Sequence, residues 1–395
     1  MPRHDILGRD HDLVLYGATG FAGALTAEYL ARHAPEGCRW ALAGRDTAGL
    51  ERLRKRLTAV NPACADLPLL RADSTDPDSL RALAAATRVL ATTVGPYLLH
   101  GEPLVAACAE AGTDYLDLTG EPEFVDRMYL RYDAAARASG ARLVHACGFD
   151  SVPYDLGVLY TVGLLPEGVP LRVDGFVRTN AAFSGGTLAS ALTAVSRPAA
   201  MARAARARRR VEPRPAGRTV RAPFGPPVRS RETGTWGVPL PTLDPRIVAR
   251  SAAALDRYGP DFRYRHYAGV RRLPTAVAGA VGAGAVSALA QVPAVRRRLS
   301  GRLRPGEGPG PERRARSWFK VRFVASGGGT RLVTEVAGGD PGYDETAKML
   351  AEAALSLAFD DLPETAGQVT TAVAMGDALT RRLRDAGITF RVVRG

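Results

Sequence analysis

His11 to Leu30 reads HDLVLYGATGFAGALTAEYL, and the order of residue types within it decides the fold. Leu13 to Tyr16 is an apolar run suited to a strand buried on both faces, and Phe21 to Ala31 carries helical periodicity. Between them, Gly17 to Gly23 (GATGFAG) places three glycines at GxxGxxG spacing. Gly17 permits a tight exit from the strand, Gly20 lets a pyrophosphate approach the backbone, and Gly23 lets the helix pack close on the sheet. The helix N-terminus then offers unpaired N–H groups and the positive end of its dipole to phosphate. Gly17, Thr19, Gly20, Phe21 and Gly23 are therefore the candidate cofactor-binding turn.

The neighbouring strands sharpen this reading. Arg39 to Ala43 is apolar and ends in Gly44-Arg45, where an arginine suits the 2′-phosphate of NADP and an acid would select the free ribose hydroxyl of NAD. Arg45 argues for NADP, while the adjacent Asp46 leaves the competing choice standing. Leu67 to Ala72 is a third strand ending at Asp73-Ser74, placed to border the adenine. Arg88 to Thr93 is a fourth, ending in Val94-Gly95-Pro96-Tyr97. Strands alternating with helical segments predict an α/β, Rossmann-type parallel sheet. Helices over Leu104–Ala111 and Phe124–Ser139 and strands over Tyr115–Leu118 and Arg142–Ala146 continue the alternation. Ligands bind outside the carboxyl ends of such strands, so Val94 to His100, Thr119 to Glu121 and Gly148 to Asp155 should converge on one crevice.

From about Leu171 the pattern changes. Leu171–Asn180, Arg231–Trp236, Ser317–Ala325 and Thr330–Val336 predict a mainly antiparallel sheet, with Ser326 to Gly329 as a hairpin loop. The expected domains are residues 1–157, which bind the dinucleotide; 158–340, an α+β domain for substrate and dimerisation; and 341–395, a helical segment returning to the first domain. Leu188 to Arg209 reads as a helix kinked or split at Pro198. Val211–Arg231 and Pro305–Arg314 read as loops, Asp344–Phe359 and Met375–Ala386 as helices, and Ile388–Val393 as a final strand.

The composition, 46% apolar and 24% charged over 395 residues, is that of a folded protein with room for two domains. The net charge of +13 is carried almost wholly by arginine, since only Lys55, Lys320 and Lys348 are lysine. Without interleaved aromatics these clusters do not point to nucleic acid, but they can steer an acidic carrier protein or an anionic membrane. Four scattered cysteines, Cys38, Cys64, Cys108 and Cys147, fit neither a metal site nor a disulfide framework and suit a reduced, cytoplasmic protein. Leu273 to Val295 has no charge over 23 residues and has three readings: a membrane span, an interfacial helix touching the inner membrane face, or a helix buried in protein.

At these residues the chain resembles the saccharopine dehydrogenase-like NADP-binding family, and within it the trans-acting enoyl reductases of polyketide lipid synthesis. The likeness rests on GATGFAG at Gly17, AGR at Ala43, VGPY with GEPLVAAC up to Cys108, YLDLTGE at Tyr115, CGFDSVPYDLG at Cys147 and GGDPGYDETAKML near the C-terminus. The resemblance implies NADPH as hydride donor and an acyl chain presented on the carrier domain of a polyketide or fatty-acid synthase. Reduction of an α,β-unsaturated thioester needs hydride at the β-carbon, donors for the enolate oxygen and a proton for the α-carbon. Val94, Gly95, Pro96, Gly148, Phe149 and Asp150 would border the nicotinamide. Tyr97 and Tyr154 are the candidate phenol donors and His100 the candidate proton relay, each with a structural alternative: walling the nicotinamide, packing, or capping a helix. Reduction of an imine or keto group, with Arg178 holding a substrate carboxylate, and a non-catalytic membrane-associated NADP-binding role are the other readings.

Overall fold

The computed structural model describes residues 8–181, 197–272, 274 and 309–395. The chain opens with strands and helices in alternation: β1 (His11–Tyr16), α1 (Phe21–His33), β2 (Trp40–Gly44), α2 (Thr47–Val60), β3 (Leu69–Arg71), α3 (Pro77–Ala85), β4 (Thr87–Thr92), α4 (Tyr97–His100), α5 (Glu102–Ala111), β5 (Asp114–Asp117), α6 (Pro122–Ser139) and β6 (Arg142–Val144). These strands pair in parallel in the order β6-β5-β4-β1-β2-β3. Leu13, Val14 and Leu15 are completely buried, as expected of a central strand in a sheet packed on both faces. Local chemistry sets the helix starts. Asp46 accepts the Gly49 N–H (2.9 Å) ahead of α2, and Asp76 accepts two N–H groups ahead of Pro77, which starts α3.

Helix α7 (Val152–Val162) leads to a second layer: β7 (Leu171–Thr179), α8 (Pro198–Val211), β8 (Thr219–Arg221), β9 (Val228–Ser230), β10 (Thr235–Pro239), α9 (Asp244–Ala254), β11 (Asp261–Val270), α10 (Pro311–Ala315), β12 (Phe319–Gly327) and β13 (Thr330–Gly338). Its sheet runs β13-β12-β7-β11-β10-β9, with β8 also on β11. It is mainly antiparallel, with parallel contacts between β11 and both β7 and β8. Along β12, Phe319, Val321, Phe323 and Ala325 point into the core, whereas Lys320 and Arg322 face the other side. Gly328 (φ +55°) and Gly329 (φ +80°) form the two-residue β12–β13 turn, whose positive φ values glycine tolerates best.

The remaining chain visits both sheets. Helix α11 (Asp344–Phe359) packs against α1 and β4, β14 (Gly367–Val369) adds in parallel to β6, α12 (Thr371–Ala374) and α13 (Gly376–Asp385) follow, and β15 (Thr389–Arg394) pairs with β13.

Several local expectations are corrected. Pro198 starts a helix instead of kinking one, because its missing N–H costs nothing at the first helical position; residues 188–196 lie outside the described residues. The stretch expected as a loop over Val211–Arg231 holds β8 and β9. Residues 231–234 turn, so the strand expected at Arg231 begins at Thr235. Pro311–Ala315 is a short helix at the end of the second expected loop, and a four-residue helix, Thr371–Ala374, precedes the C-terminal helix, which forms as expected over Gly376–Asp385. Apart from Pro274, the apolar segment Leu273–Val295 lies outside the described residues, among which no helix is long and apolar enough to cross a membrane.

Candidate active site

The carboxyl ends of the parallel strands build the site. Gly17 leaves β1 at φ +84°, and a Cβ there would stand 2.6 Å from Val94 Cγ2. Thr93 Oγ1 donates to Gly17 O (3.0 Å), tying the glycine turn to the end of β4. Gly20 then precedes α1 without a side-chain cap, leaving the first N–H groups of the helix for a ligand. Phe21, first in that helix, packs edge-on to Tyr343 (4.7 Å), with the Arg314 guanidinium 5.6 Å over its ring. Arg314 and Tyr343 were not singled out by the sequence, where Arg314 read as the end of a loop.

At the next strand end Arg45 and Asp46 have different surroundings. Asp46 is occupied as the α2 cap and faces Arg52 at 3.5 Å, whereas Arg45 is exposed just beyond β2. Asp73 accepts both the N–H and Oγ1 of Thr75 (2.9 Å each). These hydrogen bonds, with the nearby Arg45 and Arg71 charges, hold its carboxyl below the usual range. Ser74 beside it hydrogen-bonds Tyr16. Arg45 is thus a cation next to the position an adenosine ribose takes in this fold. Substituting Arg45→Ala should cost NADPH about 1.5–3 kcal/mol, the worth of hydrogen bonds to a charged group. That is roughly a 10- to 150-fold loss. NADH binding should change little, and fluorescence titration with both nucleotides reads the difference directly.

The third strand end behaves differently from expectation. Val94 N–H donates to Thr92 Oγ1 (3.2 Å), and the Tyr97 and Leu98 N–H groups donate to the two Glu121 carboxylate oxygens (3.1 and 2.9 Å). Gly95 and Pro96 lie between them in the loop. The Tyr97 hydroxyl donates to Thr92 O and accepts the Leu118 N–H, both at 3.1 Å, and burial raises its pKa well above the phenol range. The ring lies in the core, stapling the ends of β4 and β5 together, so its proton is committed to the backbone. His100 is exposed at the end of the short α4. The structure does not bring either residue to the group that follows.

That group forms after β6. The Gly148-Phe149 turn is held by the C-terminal segment, since Phe149 N–H donates to Thr346 Oγ1 (3.2 Å). The Phe149 ring packs edge-on against Tyr154 (5.6 Å) and Phe319 of the second sheet (5.0 Å). Tyr154, almost fully buried, meets the edge of His266 at 4.8 Å. Asp150 lies opposite Gly120, where a Cβ would stand 3.0 Å from Asp150 Oδ2. One wall therefore comes from the first sheet and the other from the aromatic inner face of the second.

The geometry has counterparts in known proteins. Residues 13–144 match the family model of the saccharopine dehydrogenase NADP binding domain. A Mycobacterium tuberculosis protein provisionally named as a trans-acting enoyl reductase is 40% identical over 98% of both chains. The trans-acting enoyl reductase of Mycobacterium bovis is 37% identical over the same share of each. The chain belongs to this enoyl reductase family. It is an NADPH-dependent oxidoreductase. The apo saccharopine dehydrogenase (L-Glu forming) of Saccharomyces cerevisiae shares the reductase's fold, with a TM-score of 0.55 at 12% identity over 96% of this chain and 99% of its own.

Two buried groups of the reductase escaped the sequence reading. His145 Nδ1 contacts Asp117 Oδ2 at 2.6 Å behind the crevice, and the same carboxylate takes N–H groups from Thr119 and Ala146. Asp244, His266 and Tyr264 arrive from α9 and β11, far from any motif.

Proposed function

We propose that the reductase saturates the C=C bond of an acyl thioester presented in trans on the carrier domain of a polyketide or fatty-acid synthase. The reading is carried by full-length likeness, 98% of the chain at 37–40% identity, to proteins named for enoyl reduction. The turn at Gly17, Thr19, Gly20, Phe21 and Gly23 would hold the pyrophosphate, Arg45 the 2′-phosphate, Asp73 and Ser74 the adenosine side, and Val94 to Pro96 and Gly148 to Phe149 the nicotinamide. Bound NADPH supplies the hydride. The crevice walls of Phe149, Tyr154 and Phe319 would exclude water from an apolar acyl chain.

The imine or keto reading needs a cation for a substrate carboxylate, and Arg178 was its candidate. Arg178 pairs with Lys320 across the sheet and lies on the face opposite Phe319, Tyr264 and His266. There it lines a cavity of about 400 Å³ with Arg271, Lys320, Arg322 and Trp318. That places it behind the aromatic wall, which favours the enoyl reading. The test is NADPH oxidation by purified protein against trans-2-enoyl thioesters, imines and ketones. Turnover confined to the thioesters is expected; turnover of an imine or ketone alone would replace the reading.

A further inference from the structure

The carboxylate of Asp150 has an unusual setting. It follows the Gly148-Phe149 turn at the crevice floor, remains partly accessible, and accepts no hydrogen bond from any described residue. Close by stands a second carboxylate, Asp244, at the start of α9. The two differ in their support. Asp244 accepts Ser151 Oγ at 3.1 Å and a further hydrogen bond from Thr242. Its Oδ2 lies 3.5 Å from His266 Nε2, and His266 Nδ1 lies 2.9 Å from the Tyr264 hydroxyl. Ser151 is held at φ +101°, a conformation an L-residue keeps only when its surroundings enforce it.

We propose that Asp150 is the acid that protonates the α-carbon during enoyl reduction, with Asp244 of the second layer as its positioning residue. The proposal rests on the enoyl reading of the site. As hydride reaches the β-carbon, the π pair of the C=C bond moves to the α-carbon and the thioester oxygen. The Asp150 O–H bond breaks, its proton joins the α-carbon, and Asp150 is left as a carboxylate. Solvent restores the proton through the accessible part of the side chain.

Electrostatics agree with the geometry. Burial, and then repulsion from Asp244, push the Asp150 carboxyl up to about 7. Burial also raises Asp244, but donors from Ser151 and Thr242 favour its ionised form. Hydrogen bonds to a carboxylate favour its charged form, so a proton is held more readily by Asp150, which has no such donors among the described residues. The other titratable groups here are Tyr154, Tyr264 and His266. Burial keeps both phenols protonated and lowers His266 to about 3, so all three are neutral near pH 7. An acid must be protonated to act, so kcat should fall as pH rises through neutrality.

Two measurements test this. Carbon-13 NMR of aspartate-labelled protein without nucleotide should reveal a carboxyl titrating near pH 7 that disappears in Asp150→Asn. In turnover at saturating NADPH, Asp150→Asn should lower kcat by about 10²-fold or more, the usual worth of a general acid. Asp244→Asn removes the repulsion and should move the decline of kcat to lower pH without abolishing activity at acid pH. If the wild type reduces enoyl thioesters and Asp150→Asn stays within threefold of it, the acid assignment is overturned and the enoyl reading stands. If the wild type reduces none, the enoyl reading fails and the assignment fails with it. Absence of a near-neutral carboxyl in the NMR titration overturns the acid role on its own.

Discussion

Asp126→Ala should destabilise the protein by about 3–5 kcal/mol, the cost of breaking a buried ion pair from one side, read as a lowered urea midpoint. Asp126 lies on α6 and is 1% exposed. Its Oδ1 meets Arg250 at 2.5 Å and Arg208 at 3.5 Å, and its Oδ2 meets Arg246 at 3.0 Å. Arg208 is itself buried, lies 3.9 Å over the Tyr129 ring, and also contacts Glu212 and Gln368 (2.5 Å each). Removing Asp126 leaves Arg208 and Arg250 sharing Glu212 and takes the carboxylate away from Arg246. Burial and the neighbouring Arg208 already lower the Arg250 pKa to about 10. The cluster joins α6 to α8, α9 and β14, so the loss should loosen the packing of the second layer on the first. Arg208→Met, which removes one cation and keeps apolar bulk, should be far milder. Equal losses from the two variants would refute the argument.

Gly23→Ala should weaken NADPH binding by about 10²-fold, corresponding to about 2.7 kcal/mol. A Cβ at position 23 would stand 2.3 Å from Gly17 O and 2.9 Å from Ala18 Cα. Both are backbone atoms of the turn itself, so no rotamer change can relieve the clash. Helix α1 must move away from β1, and the N–H groups at its start, proposed to meet the pyrophosphate, move with it. Overpacking should also cost about 1–3 kcal/mol of stability. Calorimetric titration with NADPH checks the first effect and thermal unfolding the second. An alanine variant that binds as tightly as the wild type would mean that the turn does not hold the phosphates.

The parts of the molecule readable in the sequence are those whose cause is local. β1 is a continuous apolar run, and Gly328-Gly329 specify a turn without help from distant residues. Strand β11 was missed although its inward residues, Phe262, Tyr264 and His266, alternate with Arg263 and Arg265. The outward Arg265 is neutralised by Asp174 (2.7 Å) on the adjacent β7, a pairing known only once the sheet is assembled. Helix α9 buries a narrow stripe, Ile247, Val248, Ser251 and Ala252, together with Asp244 at its start, within a polar segment. The crevice was legible as strand ends, not as side-chain directions. Tyr97 occupies an active-site turn in the sequence yet points inward, while Asp244 and His266 sit about a hundred residues beyond the turn they face.

The late return of the chain to the first sheet has a consequence for synthesis. Helix α11 lies on α1 and β4, with Met349, Leu350 and Leu355 completely buried. At about 5–20 residues per second a ribosome needs on the order of tens of seconds to travel from β4 to this helix. Throughout that interval the part of the nascent sheet that α11 covers beside α1 lacks its native cover. Expression should therefore depend on holding chaperones more strongly than the finished protein's solubility would suggest, and an N-terminal fragment ending near Gly163 should aggregate when produced alone.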